Sequence, residues 1–399
     1  MLRLRSIFAV SFALALAASP LAARPQADAP GQTPPAAPER SPAEQAEEAL
    51  WRAAMLGDVA AIRAALASKA PVDAVDPAHM TALGIAAQNG RLAAVQALLA
   101  AGANVEIDQR DDSVLEIASQ EGHTAVVEAL VAAGANVKRQ DKEGLTALMA
   151  AAAANRAGAV TLLLAKGADP NTPARTGATA LLAAAYGGNL ESAELLIAAG
   201  ATLDAKDGNG RTPLMAAALS GNASLATLLI ARGANLEMED TNGMNALAYA
   251  AGNGHVGFLE VLEKAGLTKG RDLGLAFAAG SCHMPVVRRL LGEGADVGFK
   301  LNGSPLVVMA AAGNCGEAIE LLLARGADVN GADESGKTAL MEAAGQGYVG
   351  LVRTLLANGA DLEKTNASRQ SAWLMAALGN QLEIVELFKA HRLTHPPNP

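Results

Sequence analysis

The chain has 399 residues, of which 3% are aromatic and 18% charged, and a formal net charge of −9. So little aromatic bulk would make a soft single core, and the acidic balance offers no basic footprint for nucleic acid or an anionic membrane surface. Length alone allows two or three domains.

In chain order, MLRLRSIFAVSFALALAASPLAARPQ places Arg3 and Arg5 before an apolar run from Ile7 to Ala18, followed by small residues. This is the pattern of a secretory signal, bacterial in look, over residues 1–23 with cleavage after Ala23. Its apolar run falls short of the roughly 20 residues that a spanning helix needs, so no membrane insertion is expected once the signal is removed. Periplasmic location is expected, with release outside the cell as the other outcome. Residues 24–43 hold six prolines and no large apolar side chain, too little to repay ordering, and read as a disordered tether. A repeat array is expected over 44–392 and a short disordered tail over 393–399.

The phrase LLAAGANVE returns with small changes at Gly102, Gly134, Gly167, Gly200, Gly233, Gly266, Gly294, Gly326 and Gly359, with spacings of 32, 33, 33, 33, 33, 28, 32 and 33. The phase extends back to Lys69 and forward to Arg392, giving about eleven units. A fixed period near 33 is the mark of stacked supersecondary units. Within DGNGRTPLMAAALSGNASLATLLIARGANLE, Asp207–Glu237, the opening Asp-Gly-Asn-Gly is a turn. Thr212 caps a helix whose first turn accepts Pro213, and the Gly221-Asn222 turn leads to a second helix that ends at Gly233 in the left-handed conformation. Each pair is apolar on both broad sides, so neighbours must stack on it. Ahead of the first unit, Ser41 and Glu44 form a capping box.

These units resemble the ankyrin-repeat family over about Pro42 to Leu393, through TPLM at Thr212, TAL at Thr81, Thr146, Thr179 and Thr338, and SPL at Ser304. The resemblance implies an all-α solenoid of helix-turn-helix units with β-turn fingers. It also implies a non-enzymatic protein that binds another protein through its concave face and finger tips, without a cofactor and as a monomer. The sequence departs from the family in two ways. The histidine of TPLH is missing from every unit, with Met149, Met215 and Met341 among its replacements, so the usual Thr–His bonding is lost and the methionines form either core or a pliable binding stripe. The spacing of 28 before Gly294 removes most of one finger, and a bend or notch is expected at 266–274.

On the fingers the candidate partner-binding residues are His79, Arg110, Asp111, Lys142, Glu143, Arg175, Asn209, Arg211, Asn242, Glu334 and Lys337; on the first helices they are Tyr186 and Leu219. His123, His255 and His283 share one place in the helix–helix turn, eleven residues before the unit's glycine. Equivalent residues one layer apart stand roughly 10 Å from each other, too far to converge on a metal ion. Cys282 and Cys315 lie in adjacent units. Two thiols in an exported chain invite a disulfide, yet the layer spacing opposes one, and both states stay open. No GxSxG, HExxH, phosphate-cradling loop or CxxC pair occurs in a catalytic setting. An alternative reading is a structural or protective binder of a small ligand or envelope component, with the notch as its pocket.

Overall fold

The computed structural model describes residues 41–109 and 112–395. Residues 1–40, over which the signal sequence and most of the tether are expected, lie outside the described residues. Within them the chain forms 22 helices in eleven helix-turn-helix pairs, from Pro42–Leu56 with Val59–Ala67 to Ala372–Leu378 with Leu382–Thr394. The strands among the described residues are two-residue ribbons at finger bases, Asp108–Gln109 with Asp112–Ser113 and Lys300–Leu301 with Ser304–Pro305. The pairs fall into two compact units: the described part up to residue 118 with 125–135, and 119–124 with the described residues from 136 onward.

The expected boundaries move slightly at both ends. The first helix begins inside the segment read as tether, because Ser41 accepts from Glu44 N while Glu44 Oε2 accepts from Ser41 N at 2.7 Å, with Pro42 in the first turn. The last helix runs two residues past Arg392, closed by a hydrogen bond from the Thr394 hydroxyl to the His391 carbonyl at 2.9 Å.

One pair shows how sequence becomes layer. Thr212 accepts from Met215 N and opens Pro213–Ser220; Gly221 (φ +70°) reverses the chain; Asn222 accepts from Leu225 N and opens Ala223–Ala231; Gly233 (φ +91°) ends it. Leu225 and Leu229 are buried, whereas Leu228 and Ile230 are half-buried. The first helices are buried far beyond a single stripe: every residue of Ala180–Ala185, Pro213–Ala218, Ala246–Gly252 and Gly274–Ala279 is inside. A helix apolar all round belongs between neighbours on every side. Small residues set the spacing, since a Cβ on Gly274 would stand 2.9 Å from Ala251 Cβ and 3.0 Å from Leu247 Cδ2.

The missing histidine leaves the caps intact. Thr81, Thr146, Thr179, Thr212 and Thr338 each accept from the backbone N–H three residues on, as an N-cap does without side-chain help. Met149, Met215 and Met341 are 1–2% exposed, so the methionine row is core and the binding-stripe reading is corrected.

The helix–helix turns form a second line of contact. At four turns the residue reaches back to a carbonyl of the preceding layer: Arg91 Nε to Met55 O (3.1 Å), Arg156 Nε to Gln120 O (2.9 Å), Asn189 Nδ2 to Ala153 O (2.8 Å) and Asn222 Nδ2 to Gly188 O (2.5 Å). His255 Nε2 lies 3.2 Å from Leu219 O, which makes this histidine a strut between layers. These side chains lie against the left-handed residue of the layer before, so that a Cβ on Gly221 would meet His255 at 2.6 Å.

At one layer that left-handed position holds Cys282 (φ +58°), and the next turn residue is Cys315. Their Cα atoms are 5.3 Å apart and the two are disulfide-bonded. The layer spacing measured along the helices does not apply here, because the turn residue of one layer already touches this position of its neighbour. The bond closes a separation of 33 residues, which by chain entropy stabilises by about 3–4 kcal/mol. Replacing both cysteines by serine is therefore expected to lower the urea midpoint of the oxidised protein, and dithiothreitol is expected to bring the native chain to the same midpoint. Equal midpoints for oxidised native chain and variant would contradict this.

Candidate functional site

The fingers are built on Asx turns. Asp76, Asp141, Asp207, Asp240 and Asp333 each use Oδ1 to accept from the N–H groups two and four residues on, and Asn366 does the same. A short side chain thus mimics a backbone turn and fixes a tight loop. Neighbouring tips are then tied by main-chain hydrogen bonds: Arg175 N to Glu143 O (2.8 Å), Gly208 N to Thr176 O (2.6 Å) and Thr241 N to Asn209 O (3.0 Å). Four successive tips become one strip, on which Lys142, Glu143, Arg175, Asn209 and Asn242 are exposed.

The strip stops where the finger is missing. There the Asn245 amide takes over: its Oδ1 accepts from Ala248 N at 3.0 Å and its Nδ2 donates to Lys269 O at 2.8 Å. The helix Arg271–Gly280 still packs against both Ala246–Gly252 and Leu306–Ala312. The expected notch is a missing tip whose base is occupied by Asn245. Beyond it a second strip begins, with Ala367 N bonded to Ser335 O at 2.7 Å and exposed Glu334 lying over Gly303.

The remaining candidates divide by burial. His79 is exposed in the first compact unit, and Arg110 and Asp111 lie outside the described residues. Leu219 is half-buried, and its carbonyl is the one beside His255. Two expectations are corrected. Arg211 is 7% exposed, with Nε on Tyr249 Oη at 3.1 Å and its guanidinium 5.7 Å from that ring's centroid. Lys337 is ion-paired to Glu342, itself 2% exposed. Each stands one residue before a cap threonine and here turns inward.

Around Arg211 the structure assembles a network that sequence reading did not find. Tyr249 Oη donates to Asp240 Oδ2 at 2.6 Å, and Tyr186 Oη donates to Asp207 Oδ2 at 2.8 Å. Asp207 and Asp240 therefore serve twice, Oδ1 shaping the finger and Oδ2 holding a tyrosine on a first helix. Burial and the Asp240 carboxylate push the Tyr249 phenol up to about 12, and burial raises Tyr186 as well. The signal was present: the positions equivalent to Arg211 in the adjoining layers hold Ala178 and Met244, both buried, so that a charge stands between two apolar residues. Among the described residues no group of three or more metal-ligating side chains converges, and no helix is long and apolar enough to cross a membrane.

Arg211→Met is expected to destabilise by about 2–4 kcal/mol, because it strands buried hydrogen-bonding partners, whereas Arg175→Ala stays within about 0.5 kcal/mol; urea unfolding compares the two. The tyrosine shift has a defined sign. A phenol whose folded pKa is raised contributes stability fully present below its unfolded value near 10 and lost as pH rises toward about 12. Absorbance titration at alkaline pH should show late ionisations of which Tyr249→Phe removes one; a native chain ionising entirely near pH 10 would refute the network.

Against known proteins, family models described as Ankyrin repeats (3 copies) match residues 115–207, 181–271 and 275–366, and one described as Ankyrin repeats (many copies) matches 50–99. The chain is similar to the crystal structure of the human ASB11 ankyrin repeat domain, at 26% identity and a TM-score of 0.50, covering 54% of this chain and 96% of that one. No curated protein matches. A period near 33, finger, capped first helix, turn and glycine-terminated second helix recur in the matched segments, and the chain belongs to the ankyrin-repeat family.

Proposed function

We propose that this chain is an exported, non-catalytic scaffold that binds another protein along its finger tips. Ankyrin repeats are interaction scaffolds, and stacked repeats leave an extended surface free of packing duty. The observation that carries the reading is the strip of exposed Lys142, Glu143, Arg175, Asn209 and Asn242, whose spacing is fixed by tip-to-tip backbone bonds. Such a strip is preorganised, so little ordering is needed on binding.

With Arg211 turned inward, the described candidates on the strip keep one arginine and no tryptophan or tyrosine, the types that dominate hot spots. Affinity then rests on the length of the contact and on charges of both signs at its rim. Charge complementarity of that kind sets partner choice and association rate more than tightness, and it weakens with salt over a Debye length near 8 Å at physiological ionic strength.

The test is cross-linking of the native protein in its own compartment, followed by mass spectrometry. Lys142→Ala with Arg175→Ala is expected to lower partner capture roughly tenfold, equivalent to about 1.4 kcal/mol, and raised salt to lower it for the native chain. Capture unchanged by the pair, but lost on Glu317→Ala with Arg353→Ala on the second helices, would move the interface to the opposite side. N-terminal sequencing of the exported protein should begin at Arg24; a full-length chain confined to the cytoplasm would reject export.

A further inference from the structure

The last helix, Leu382–Thr394, carries a feature that the scaffold reading does not use. His391 and His395 stand four residues apart at its end, with ring centroids 4.5 Å apart and planes within 13° of parallel. His395 is the residue that closes the helix, with φ −132° and ψ 76°, and this closing turn brings its ring onto that of His391; two imidazoles four residues apart are a donor pair from which metal sites are built.

The local hydrogen bonds engage one nitrogen of His395. The Thr394 hydroxyl lies 2.9 Å from the His391 carbonyl and 2.9 Å from His395 Nδ1. A hydroxyl has a single proton. In the tautomer in which that proton goes to the carbonyl, the hydroxyl oxygen receives His395 Nδ1–H and the Nε2 lone pair is the one left for an ion. A ring held at one nitrogen by a hydrogen bond and open at the other is the arrangement in which histidine binds metal.

The helix bearing the pair is firmly seated. Ile384 and Phe388 are fully buried, Phe388 lies 5.9 Å from the Trp373 ring, and Arg392 sits over that ring while its guanidinium holds Glu363 at 2.7 Å. The carbonyl end of a helix also favours positive charge. His391 is partly exposed and His395 exposed, so an ion can reach both.

We propose that His391 and His395 form a two-imidazole site for a divalent transition-metal ion of the zinc, nickel or copper class. The rings lie face to face in the ion-free geometry; binding turns them about their χ angles until the two donor nitrogens stand about 3.3 Å apart around a tetrahedral ion with metal–nitrogen bonds near 2.0–2.1 Å. Water completes the coordination. The four other histidines, His79, His123, His255 and His283, have no histidine partner at this spacing.

The experiment is calorimetric titration of the untagged full-length chain with NiCl2 and with ZnCl2 at neutral pH. One ion per chain is expected. His391→Ala and His395→Ala should each weaken it at least tenfold, and His79→Ala should leave it unchanged. The variant His395→Ala with Leu393→His keeps the imidazole count but places the second ring inside the helix, two residues from His391 and so on a different side of it, at a position 86% exposed in the native chain; it should bind no better than His395→Ala alone. Hydrogen exchange supplies a second readout, with the amides of 391–395 slowed by metal in the native chain and not in either single variant. Absence of binding up to millimolar ion, undiminished binding in the single variants, or full rescue by histidine at 393 would each overturn the proposal.

Discussion

The packing of each compact unit depends on the burial of its inner first helices between their neighbours. In the layers around Ala180–Ala185, Pro213–Ala218 and Ala246–Gly252 no face of that helix reaches water, so no single layer has an inside of its own. Large side chains would hold such helices apart, which is why alanine dominates them, with some leucine, a methionine and a single bulky residue, Tyr249. The 3% aromatic content follows from the same constraint. Stability built this way comes from local interfaces summed along the stack, without a central core.

Two polar edges brace the layers on either side of that stack. On one, Asx turns shape the fingers and main-chain bonds tie tip to tip; on the other, turn residues such as Arg156, Asn189, Asn222 and His255 hold the carbonyls of the layer before. The short layer at 267–299 loses the first edge. It keeps a side-chain link at its loop, where Asp272 Oδ1 accepts from Asp296 N at 2.7 Å, and it is joined to the next layer on the second edge by the Cys282–Cys315 disulfide. A covalent bond thus stands on the edge opposite the missing finger.

Polar residues on the fingers divide into two populations that composition cannot separate. Lys142, Arg175 and Asn209 sit at tips and face outward, whereas Arg211 and Lys337, each directly before a cap threonine, reach inward to Tyr249 and Glu342. Read singly, Arg211 is an attractive binding residue. Set beside Ala178 and Met244 of the adjoining layers, it is a buried charge in a core position, retained through two tyrosines and two aspartates.

The sequence by itself determined the period, the pair of helices in each unit, the threonine caps, the glycine terminators and the place of the missing finger. All of these are local: a cap, a left-handed turn and an apolar spacing act within a few residues, and repetition makes each one visible many times. Only the tertiary structure decided that the methionine row is core, that Arg211 and Lys337 point inward, and that Cys282 meets Cys315. Those outcomes are set by contacts across about 30 residues of chain, between the left-handed corner of one layer and the turn of the next, or between a finger and the first helix of a neighbour. A spacing rule for whole helices averages over such corners, and the approach of two particular atoms is fixed only once the layers are stacked.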